Sequence, residues 1–454
     1  WVLGYNETQF TFGLSTIGAD DGDGLLTYLD SADHAYEFGV WHHVVATYDG
    51  KSLRLYVDGD LSNETSEQSG NILYNESSQF VLGGYVDDNE NHPLDGRLLT
   101  VSIDSEAIVE SEVASIYEKR KGLSSLPPWT DTTLDWKVEP YLNWPTTNAM
   151  SVSFETTVPT TANLSCHCED GTDKTSMDSE QKRFHQFRIT NMEENQKYFY
   201  VVNATDSNGE TITSSQLSFR TAPGADDSFT FIAIGDTQSQ AEVVKRVADL
   251  AYMHRPNLVV HAGDLVSTGT VKADWTDHFF PSMQPLIGRV PFMPVLGNHE
   301  QDAQFYYDYM DLPQPEMYYS FDFGNAEFFM IDGNRKLNEG SDQLEWLEGA
   351  LKQSNATWKF AVLHQPPYTS DSDDYGDTYL STSTRGDTNV QNIISLLEKY
   401  GVDICFSGHV HDYERTFPIL EGEVTPMDQG GVMYVTTAGG GGHLEHFDPT
   451  NTWF

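Results

Sequence analysis

Cysteine is scarce in this chain of 454 residues, which contains only three. Cys166 and Cys168 lie in the stretch SCHCED, and Cys405 lies in the apolar stretch VDICF. So few cysteines exclude a disulfide framework, and we expect Cys405 to be a small buried residue. A tight Cys166–Cys168 bridge stays open as an alternative. A metal site that combines this pair with His167 is disfavoured, because no second pair completes four ligands.

Basic residues are also few, since 25 Lys and Arg stand against 69 Asp and Glu and the formal net charge is −44. Such a charge repels nucleic acid and anionic membrane surfaces, so we expect no nucleic-acid partner. An anionic substrate would need local cations to overcome the field of the whole protein.

The sequence has no apolar run of the ~18 residues that a membrane helix requires, so we expect no membrane span within it. It begins with Trp1 and stops at Phe454, and we expect it to be a segment of a longer polypeptide. Six N-x-S/T sequons favour a secreted or cell-surface glycoprotein. The sequons start at Asn6, Asn63, Asn75, Asn163, Asn203 and Asn355.

The first region, residues 1–122, alternates apolar and polar residues between Asp-Gly turn signals, which predicts a β-sandwich without long helices. WHHVVATYDGKSLRLYVDG, then FVLGGY, then GRLLTVSID are its predicted strands. Their order resembles a laminin-G or concanavalin-like jelly roll that lacks its first strands. Such sandwiches bind sugars, bind proteins or space other domains, so a carbohydrate or cell-surface partner is one expectation for this region.

A Pro-, Ser- and Thr-rich stretch separates a second region, residues 123–224, from the first. About seven short strands are predicted there, which indicates a sandwich of fibronectin III type. In the third region, residues 225–454, strands alternate with helices, which predicts an α/β layered domain. Within it, AEVVKRVADLAYM predicts a helix with one apolar face. That face is formed by Val243, Val244, Val247, Leu250 and Ala251.

Polar residues follow five apolar strands of the third region. Because ligands bind at the carboxyl ends of strands in such folds, we expect these side chains to converge if the strands share one sheet. They are Asp236, Asp264, Asn298 with His299, His364, and His409 with His411.

This set of oxygen and nitrogen donors suits Zn, Fe, Mn or Co better than Ca or Mg, and it is large enough for two ions with a carboxylate between them. Two ions about 3.5–4 Å apart can clamp a phosphate and lower the pKa of a bridging water. In GHVH, alternate residues of extended backbone point the same way, so His409 and His411 can each reach one ion.

The motifs GD (235–236), GDLV (263–266), GNHE (297–300), VLH (362–364) and GHVH (408–411) resemble those of the calcineurin-like metallophosphoesterases in order and spacing. Within that group the chain is most similar to the purple acid phosphatases. GHVHDYERTFPI, MYYSFDFGNAEFFMID and the approach through SFRTAP all carry this likeness, which covers roughly residues 125–454.

The resemblance implies a role for each of these residues. Asp236, Asp264 and His411 would hold the first metal, with Asp264 bridging to the second. Asn298, His364 and His409 would hold the second metal. His299 would contact the phosphate and donate a proton to the leaving oxygen, so His299 and Asp264 are the expected catalytic residues.

We therefore expect an extracellular phosphatase that hydrolyses phosphate monoesters with a metal-bound hydroxide. Two alternatives stay open: a phosphodiesterase or nucleotidase on the same scaffold, and a surface or appendage protein that retains a phosphatase fold. The acidic stretch 368–381 is expected to be a lid that disfavours polyphosphate. His443, in a Gly-rich loop, is not expected to act directly in catalysis.

Two positions depart from the family pattern. The tyrosinate ligand of purple acid phosphatases corresponds to Ser267, and the histidine of related phosphoesterases corresponds to Gln238. Three outcomes follow: Gln238 or water completes the first metal site, a divalent ion replaces ferric iron, or the site is weak.

Without a tyrosinate ligand, the protein is predicted not to be purple. The absorption spectrum of the purified protein checks this, and an intense visible charge-transfer band would contradict it.

Overall fold

The computed structural model folds into two compact units, residues 1–131 and 132–454. The predicted bounds of the three regions stay a prediction. The residues that the structure describes are 1–6, 9–16, 27–32, 41–73, 81–86, 91–93, 98–121, 133–168, 171, 173–370 and 386–445. Within them no helix is both long and apolar enough to span a bilayer.

The first unit contains two three-stranded antiparallel sheets that contribute to one apolar core. One sheet has β1 (Val2–Asn6), β2 (Gln9–Leu14) and β3 (Thr27–Asp30). The other has β4 (Val44–Tyr48), β5 (Leu53–Val57) and β6 (Asp60–Thr65). Phe12, Leu14 and Leu29 of the first sheet pack with Leu53 and Leu55 of the second. The Asp-Gly turn between β5 and β6 has positive φ at both residues, as a tight hairpin turn requires.

Two further elements follow in this unit, and the first begins within the predicted strand FVLGGY. A small hairpin joins β7 (Gly84–Val86) to β8 (Asn91–Pro93), and a helix, α1 (Glu110–Arg120), follows in a region for which no long helix was predicted. The strand predicted in GRLLTVSID is wrong over its described residues, because residues 98–104 form no strand and Leu98, Leu99 and Ile103 are exposed. Within residues 98–104, which the structure describes, the alternating pattern is therefore not accompanied by strand pairing.

The second unit begins with an antiparallel sheet of six strands, two of them much longer than the seven short ones predicted. The strands are β9 (Trp136–Asn143), β10 (Met150–Cys168), β11 (Asp173–Ile189), β12 (Lys197–Asp206), β13 (Thr211–Thr213) and β14 (Leu217–Arg220). A break in pairing register after Glu155 lets β10 pair first with β9 and later with β12. Cys166 and Cys168 are free thiols buried on the same face of β10, so they form no bridge.

The remainder of the unit has two stacked β-sheets with helices on both outer faces. The smaller sheet is parallel and contains β15 (Phe231–Ile234), β16 (Leu258–His261) and β17 (Phe292–Pro294). The larger sheet has the order β18 (Tyr319–Phe323), β19 (Ala326–Met330), β20 (Trp358–Val362), β21 (Ile404–Ser407), β25 (Met433–Thr437) and β22 (Tyr413–Arg415). A two-stranded ribbon joins β23 (Ile419–Leu420) to β24 (Glu423–Val424). The strands that precede the predicted ligands thus lie in two sheets, so any convergence of these ligands depends on how the two sheets are stacked.

The helices are α2 (Ala241–Met253), α3 (Phe280–Ile287), α4 (Gln304–Tyr309), α5 (Asp342–Gln353) and α6 (Ile394–Lys399), with short helical turns at Asp274–Phe279, Val390–Ile393 and Met427–Gln429. Helices α2 and α3 pack on the smaller sheet, whereas α5 and α6 pack on the outer face of the larger one. The apolar face predicted for α2 is partly wrong. Val244, Ala248 and Ala251 are its buried residues, and Val243 and Leu250 are exposed because the helix is rotated about its axis.

Aromatic packing between the two sheets determines how their edges align. The ring of Phe231 on β15 lies 5.2 Å from those of Phe328 and Phe360 and 5.8 Å from that of Phe406, all on the larger sheet. At the carboxyl ends of the strands, the backbone N–H of Gly235 donates to the carbonyl of Thr437 at 2.8 Å. The two sheets therefore present their carboxyl-terminal ends to the same space.

Candidate metal centre

All six predicted metal ligands lie at this shared edge, each two to four residues after the end of a strand. The tightest group comes from both sheets. The Oδ2 atom of Asp264 lies 3.1 Å from Nε2 of His364, which is itself 3.1 Å from Nδ1 of His409. The Oδ1 atom of Asn298 is 2.9 Å from each of those two imidazole nitrogens. Donor atoms of Asp264, His364 and His409 all lie within 4.8 Å of one another, a spacing that fits ligands around one cation.

A second group lies beside the first and contains Asp236 and His411. The Nε2 atom of His411 is 3.4 Å from Oδ1 of Asp236 and 3.0 Å from the amide of Gln238. The backbone N–H of His409 donates to both carboxylate oxygens of Asp236, at 2.9 and 3.1 Å, and so joins the two groups. The structure thus brings the predicted ligands together as two neighbouring sets, while metal binding by them stays a prediction.

Backbone contacts select which nitrogen each imidazole presents. The Nδ1 atom of His364 faces the carbonyl of Ala262 at 2.8 Å, and that of His411 faces the carbonyl of His443 at 2.8 Å. Because a carbonyl only accepts, each Nδ1 carries a proton, and Nε2 is the atom left for a cation. His409 is reversed and points Nδ1 at the site.

Sharp backbone turns direct the ligands back over the strand ends. Asp236, Asp264 and His409 have φ values of 58°, 54° and 72°, a left-handed conformation that is uncommon for residues other than glycine and often found at functional sites. The motif glycines provide the space that these turns need. A Cβ atom on Gly297 would lie 2.1 Å from Oδ1 of Asp264, and one on Gly408 would lie 2.4 Å from Oδ2 of Asp236.

The buried charges strongly perturb one another. Burial would lower the pKa of His364, but Asp264 and Asp236 beside it raise that pKa to about 10. Burial would raise the pKa of Asp264, but the imidazole of His364 lowers it to about 2. Burial raises the pKa of Asp236 to about 6. Burial would lower the pKa of His411, but contact with the Asp236 carboxylate raises that pKa to about 9. Without a metal ion, the imidazoles of His364 and His411 therefore keep a second proton at neutral pH, which lies between them and the neighbouring carboxylates.

His299 lies at the rim of the site, with 41% of its side chain exposed. Its backbone N–H donates to Oδ1 of Asp264 at 2.8 Å, and its Nδ1 faces the carbonyl of Ser267 at 2.6 Å. Its Nε2 atom lies 3.9 Å from Oδ2 of Asp264. The ring is thus anchored at Nδ1, while its Nε2 is the nitrogen nearer to Asp264.

Glu300 has a role that was not assigned from the sequence, although it closes the motif GNHE. It is fully buried, and its two oxygens accept from the backbone N–H groups of Asp264 (2.9 Å), Leu265 (2.8 Å), Val266 (3.3 Å) and Gly297 (2.6 Å). Burial and the nearby Asp264 raise the pKa of Glu300 to about 8, whereas the four donors favour its charged form. Because the four N–H donors occupy the lone pairs of both oxygens, no lone pair is left to take a proton. We therefore assign Glu300 as a charged carboxylate that links the loop of Asp264 to the loop of Gly297 and Asn298.

The Gly-rich loop after β25 orients His411 through its backbone and through Glu445. Besides the carbonyl of His443, Oε2 of Glu445 accepts from the backbone N–H of His411 at 2.8 Å. A Cβ atom on Gly442 would lie 2.7 Å from the His411 ring. Residues 371–381 of the predicted acidic lid lie outside the described residues.

Comparison with known proteins agrees with this geometry. Residues 229–413 match the calcineurin-like phosphoesterase family. This part of the chain is a calcineurin-like phosphoesterase domain. Residues 1–114 match the concanavalin A-like lectin/glucanases superfamily. Both predicted resemblances are confirmed, whereas the fibronectin III type of the intervening sheet stays a prediction.

Purple acid phosphatases are among the relatives of this phosphoesterase domain. The chain is 26% identical over 317 residues to the Arabidopsis thaliana protein named probable inactive purple acid phosphatase 24, covering 58% of this chain and 50% of that one. It is 26% identical over 221 residues to a Hordeum vulgare nucleotide pyrophosphatase/phosphodiesterase, covering 42% and 59%. The solved structure of purple acid phosphatase PPD1 from yellow lupin superposes with a TM-score of 0.60 at 20% identity, covering 69% and 66%, which shows a shared fold. The chain spans about half the length of the first curated relatives it matches.

Replacement of Glu300 by Gln is predicted to lower the free energy of unfolding by about 3 kcal/mol, because the new amide NH₂ would face buried N–H donors. Urea denaturation measures this change. Glu339→Gln, at an exposed loop position, is the matched control and should change stability by less than about 0.5 kcal/mol. Equal midpoints for the two variants would show that the Glu300 charge is not required.

Metal uptake by the stripped protein is predicted to release about two protons near neutral pH, since the pKa values of His364 and His411 are about 10 and about 9. Protons and metal ions compete for the same Nε2 atoms, so the apparent affinity should rise from about pH 6 to about pH 9. Calorimetric titration in two buffers with different ionisation enthalpies measures the proton release. If the affinity did not depend on pH and no proton were released, His364 and His411 would not be the groups that bind the metal ions.

Proposed function

We propose that the phosphoesterase domain hydrolyses phosphate monoesters with a pair of metal ions, of which Fe, Zn and Mn are the candidates. The observation that carries this proposal is the convergence of two neighbouring donor sets, around Asp236 and Asp264, at one edge of stacked sheets. Asp236, Asp264 and His411 would hold one ion, and Asp264, Asn298, His364 and His409 the other. When bound, such ions supply Lewis acidity and positive charge that suit a phosphate and an attacking water.

The protein's own groups support this chemistry by fixing positions in advance. The N–H of His299 holds Oδ1 of Asp264, so Oδ2 turns towards His364. Imidazole protons are held on Nδ1 of His364 and His411 by backbone carbonyls, which keeps their Nε2 atoms aimed inwards. Little reorganisation of these side chains is then needed when a substrate arrives.

His299 is the proposed proton donor to the leaving-group oxygen. Its Nδ1 proton is held by the carbonyl of Ser267, so the proton it can give is the one on Nε2. This atom lies 3.9 Å from Oδ2 of Asp264, and 41% of the side chain is exposed, so we expect the alcohol part of an ester to reach it. After donation, the ring remains anchored by the same carbonyl and can be reprotonated from water.

Two other functions have specific support. The relative named nucleotide pyrophosphatase/phosphodiesterase favours a phosphodiester or nucleotide substrate as the second candidate. Relatives named as probable inactive purple acid phosphatases favour, as a third, a surface protein that retains the fold without turnover. For all three we propose a secreted or cell-surface location, with the concanavalin-like domain as the contact for a carbohydrate or cell-surface partner.

The decisive assay compares hydrolysis of p-nitrophenyl phosphate, phenyl phosphate and bis(p-nitrophenyl) phosphate by the metal-loaded chain. Higher kcat/KM on the two monoesters is expected, and higher kcat/KM on the diester would favour the second candidate. His299→Ala should reduce kcat about 10²–10⁴-fold on phenyl phosphate and less on p-nitrophenyl phosphate, whose leaving group needs no proton.

His254→Ala, which removes an exposed histidine next to the end of α2, is the matched control and should leave both rates unchanged. Two bound ions without hydrolysis of any ester would overturn the enzymatic proposal and support the third candidate. Equal losses on both monoesters in His299→Ala would overturn only the role of His299 as proton donor.

A further inference from the structure

We infer that the carboxamide oxygen of Gln238 is a ligand of the first metal ion, where relatives of this domain use a tyrosinate or an imidazole. This inference rests on the proposed metal centre and specifies its composition. Gln238 follows Asp236 by two residues, and only 3% of its surface is exposed. A buried carboxamide must satisfy both its oxygen and its nitrogen, so its orientation can be read from its neighbours.

Two backbone carbonyls determine which way this amide faces. With its nitrogen towards them, Nε2 of Gln238 donates to the carbonyl oxygens of Asp236 and Asp264, at 3.2 and 3.1 Å. The opposite orientation would place the amide oxygen against those two acceptors. The oxygen therefore points to the other side, towards the group formed by Asp236 and His411, where it lies 3.0 Å from Nε2 of His411.

Two oxygen atoms then lie around Nε2 of His411. Oε1 of Gln238 is 3.0 Å from this nitrogen, and Oδ1 of the fully buried Asp236 is 3.4 Å from it. Without a metal ion, a proton on Nε2 can donate to these oxygens. Because the Nδ1 proton of His411 is held by the carbonyl of His443, Nε2 is the nitrogen that can bind a cation in place of that proton. The three atoms thus form one donor set, with Gln238 supplying its third ligand atom.

Ser267, at the position of the family tyrosinate, has a different part. Its hydroxyl accepts from the backbone N–H of Ser239 at 3.1 Å, so it supports the loop that carries Gln238. The hydroxyl of Thr237, in the same loop, donates to the carbonyl of Leu265 at 3.0 Å. The loop is thus tied down on both sides of Gln238, which limits how far its amide can move.

This donor set has a consequence for metal choice. A tyrosinate would add an anionic ligand, whereas a carboxamide is neutral, so Asp236 and the shared Asp264 supply the only anionic donors named for the two ions. Carboxylate and carbonyl oxygens suit Mn²⁺ well, and the smaller negative charge disfavours a trivalent ion. The geometry thus points to a first site that takes a divalent ion.

The test is Mn²⁺ binding by the full metal-stripped chain, followed by calorimetry and by electron paramagnetic resonance of free Mn²⁺. Wild type should bind two ions. In Gln238→Leu, one of the two should bind about tenfold or more weakly, because a donor is lost. Gln238→His, which restores a donor, should again bind two ions tightly. Gln353→Leu, at the end of α5, is the matched control and should bind as wild type does.

Two tight sites in Gln238→Leu would overturn the inference, as would a wild-type chain that binds fewer than two ions. If Gln238→Leu has an altered circular dichroism spectrum, the Gln238→His variant is compared with wild type instead. Failure of Gln238→His to bind the second ion would also count against the inference. Wild type that binds two ions but hydrolyses no ester would overturn the proposed function alone. Full hydrolysis together with unchanged binding by Gln238→Leu would overturn this inference alone.

Discussion

The site depends on one packing constraint: two β-sheets stack so that their strands end at the same level. The ring of Phe231 between those of Phe328, Phe360 and Phe406 holds the sheets together, and bonds between residues 233–235 and Thr437 join their ends. Neither sheet holds all the ligands, since Asp236 and Asp264 follow strands of one and His364 and His409 follow strands of the other. A shift of one sheet by a single residue, about 3.3 Å, would separate the two halves of the centre.

Electrostatics imposes the second requirement. The chain carries a net charge of −44, yet it buries carboxylates of Asp236, Asp264 and Glu300 within one small region. Each has its own form of compensation. Glu300 accepts from backbone N–H donors, whereas Asp264 and Asp236 lie beside His364 and His411, which supply positive charge while no metal ion is bound. Bound divalent ions would provide that charge and would also attract a phosphate that the rest of the surface repels.

Relatives named purple acid phosphatases and relatives named probable inactive purple acid phosphatases are both similar to this chain, so this similarity does not separate turnover from its loss. This chain has a carboxylate, carboxamide or imidazole at all six predicted ligand positions and a half-exposed His299, and it has Ser267 where the family resemblance led us to expect a tyrosinate. Gln238 lies next to Asp236 and His411, so the orientation of its amide decides whether it presents an oxygen or a nitrogen to these two residues.

The order of strands and helices in the second half of the chain was predictable, because buried strands and the amphipathic helix DQLEWLEGALKQ have local patterns of hydrophobicity. The candidate ligands were predictable for the same reason, since each polar residue directly follows an apolar run. The strand in GRLLTVSID and the apolar face of α2 were predicted wrongly, because a pattern of alternation or spacing does not show which neighbour is present to cover it.

The amino-acid sequence alone thus determined which donors the site contains and that each one ends a strand. Only the tertiary structure decided that two sheets share the ligands, that Glu300 clamps their loops, and that the oxygen of Gln238 faces His411. Those two residues are 173 positions apart, so their contact depends on the packing of separate strands and has no signature in the local sequence. Hydrogen bonds to backbone carbonyls, which fix the tautomers and the amide, exist only after that packing has formed.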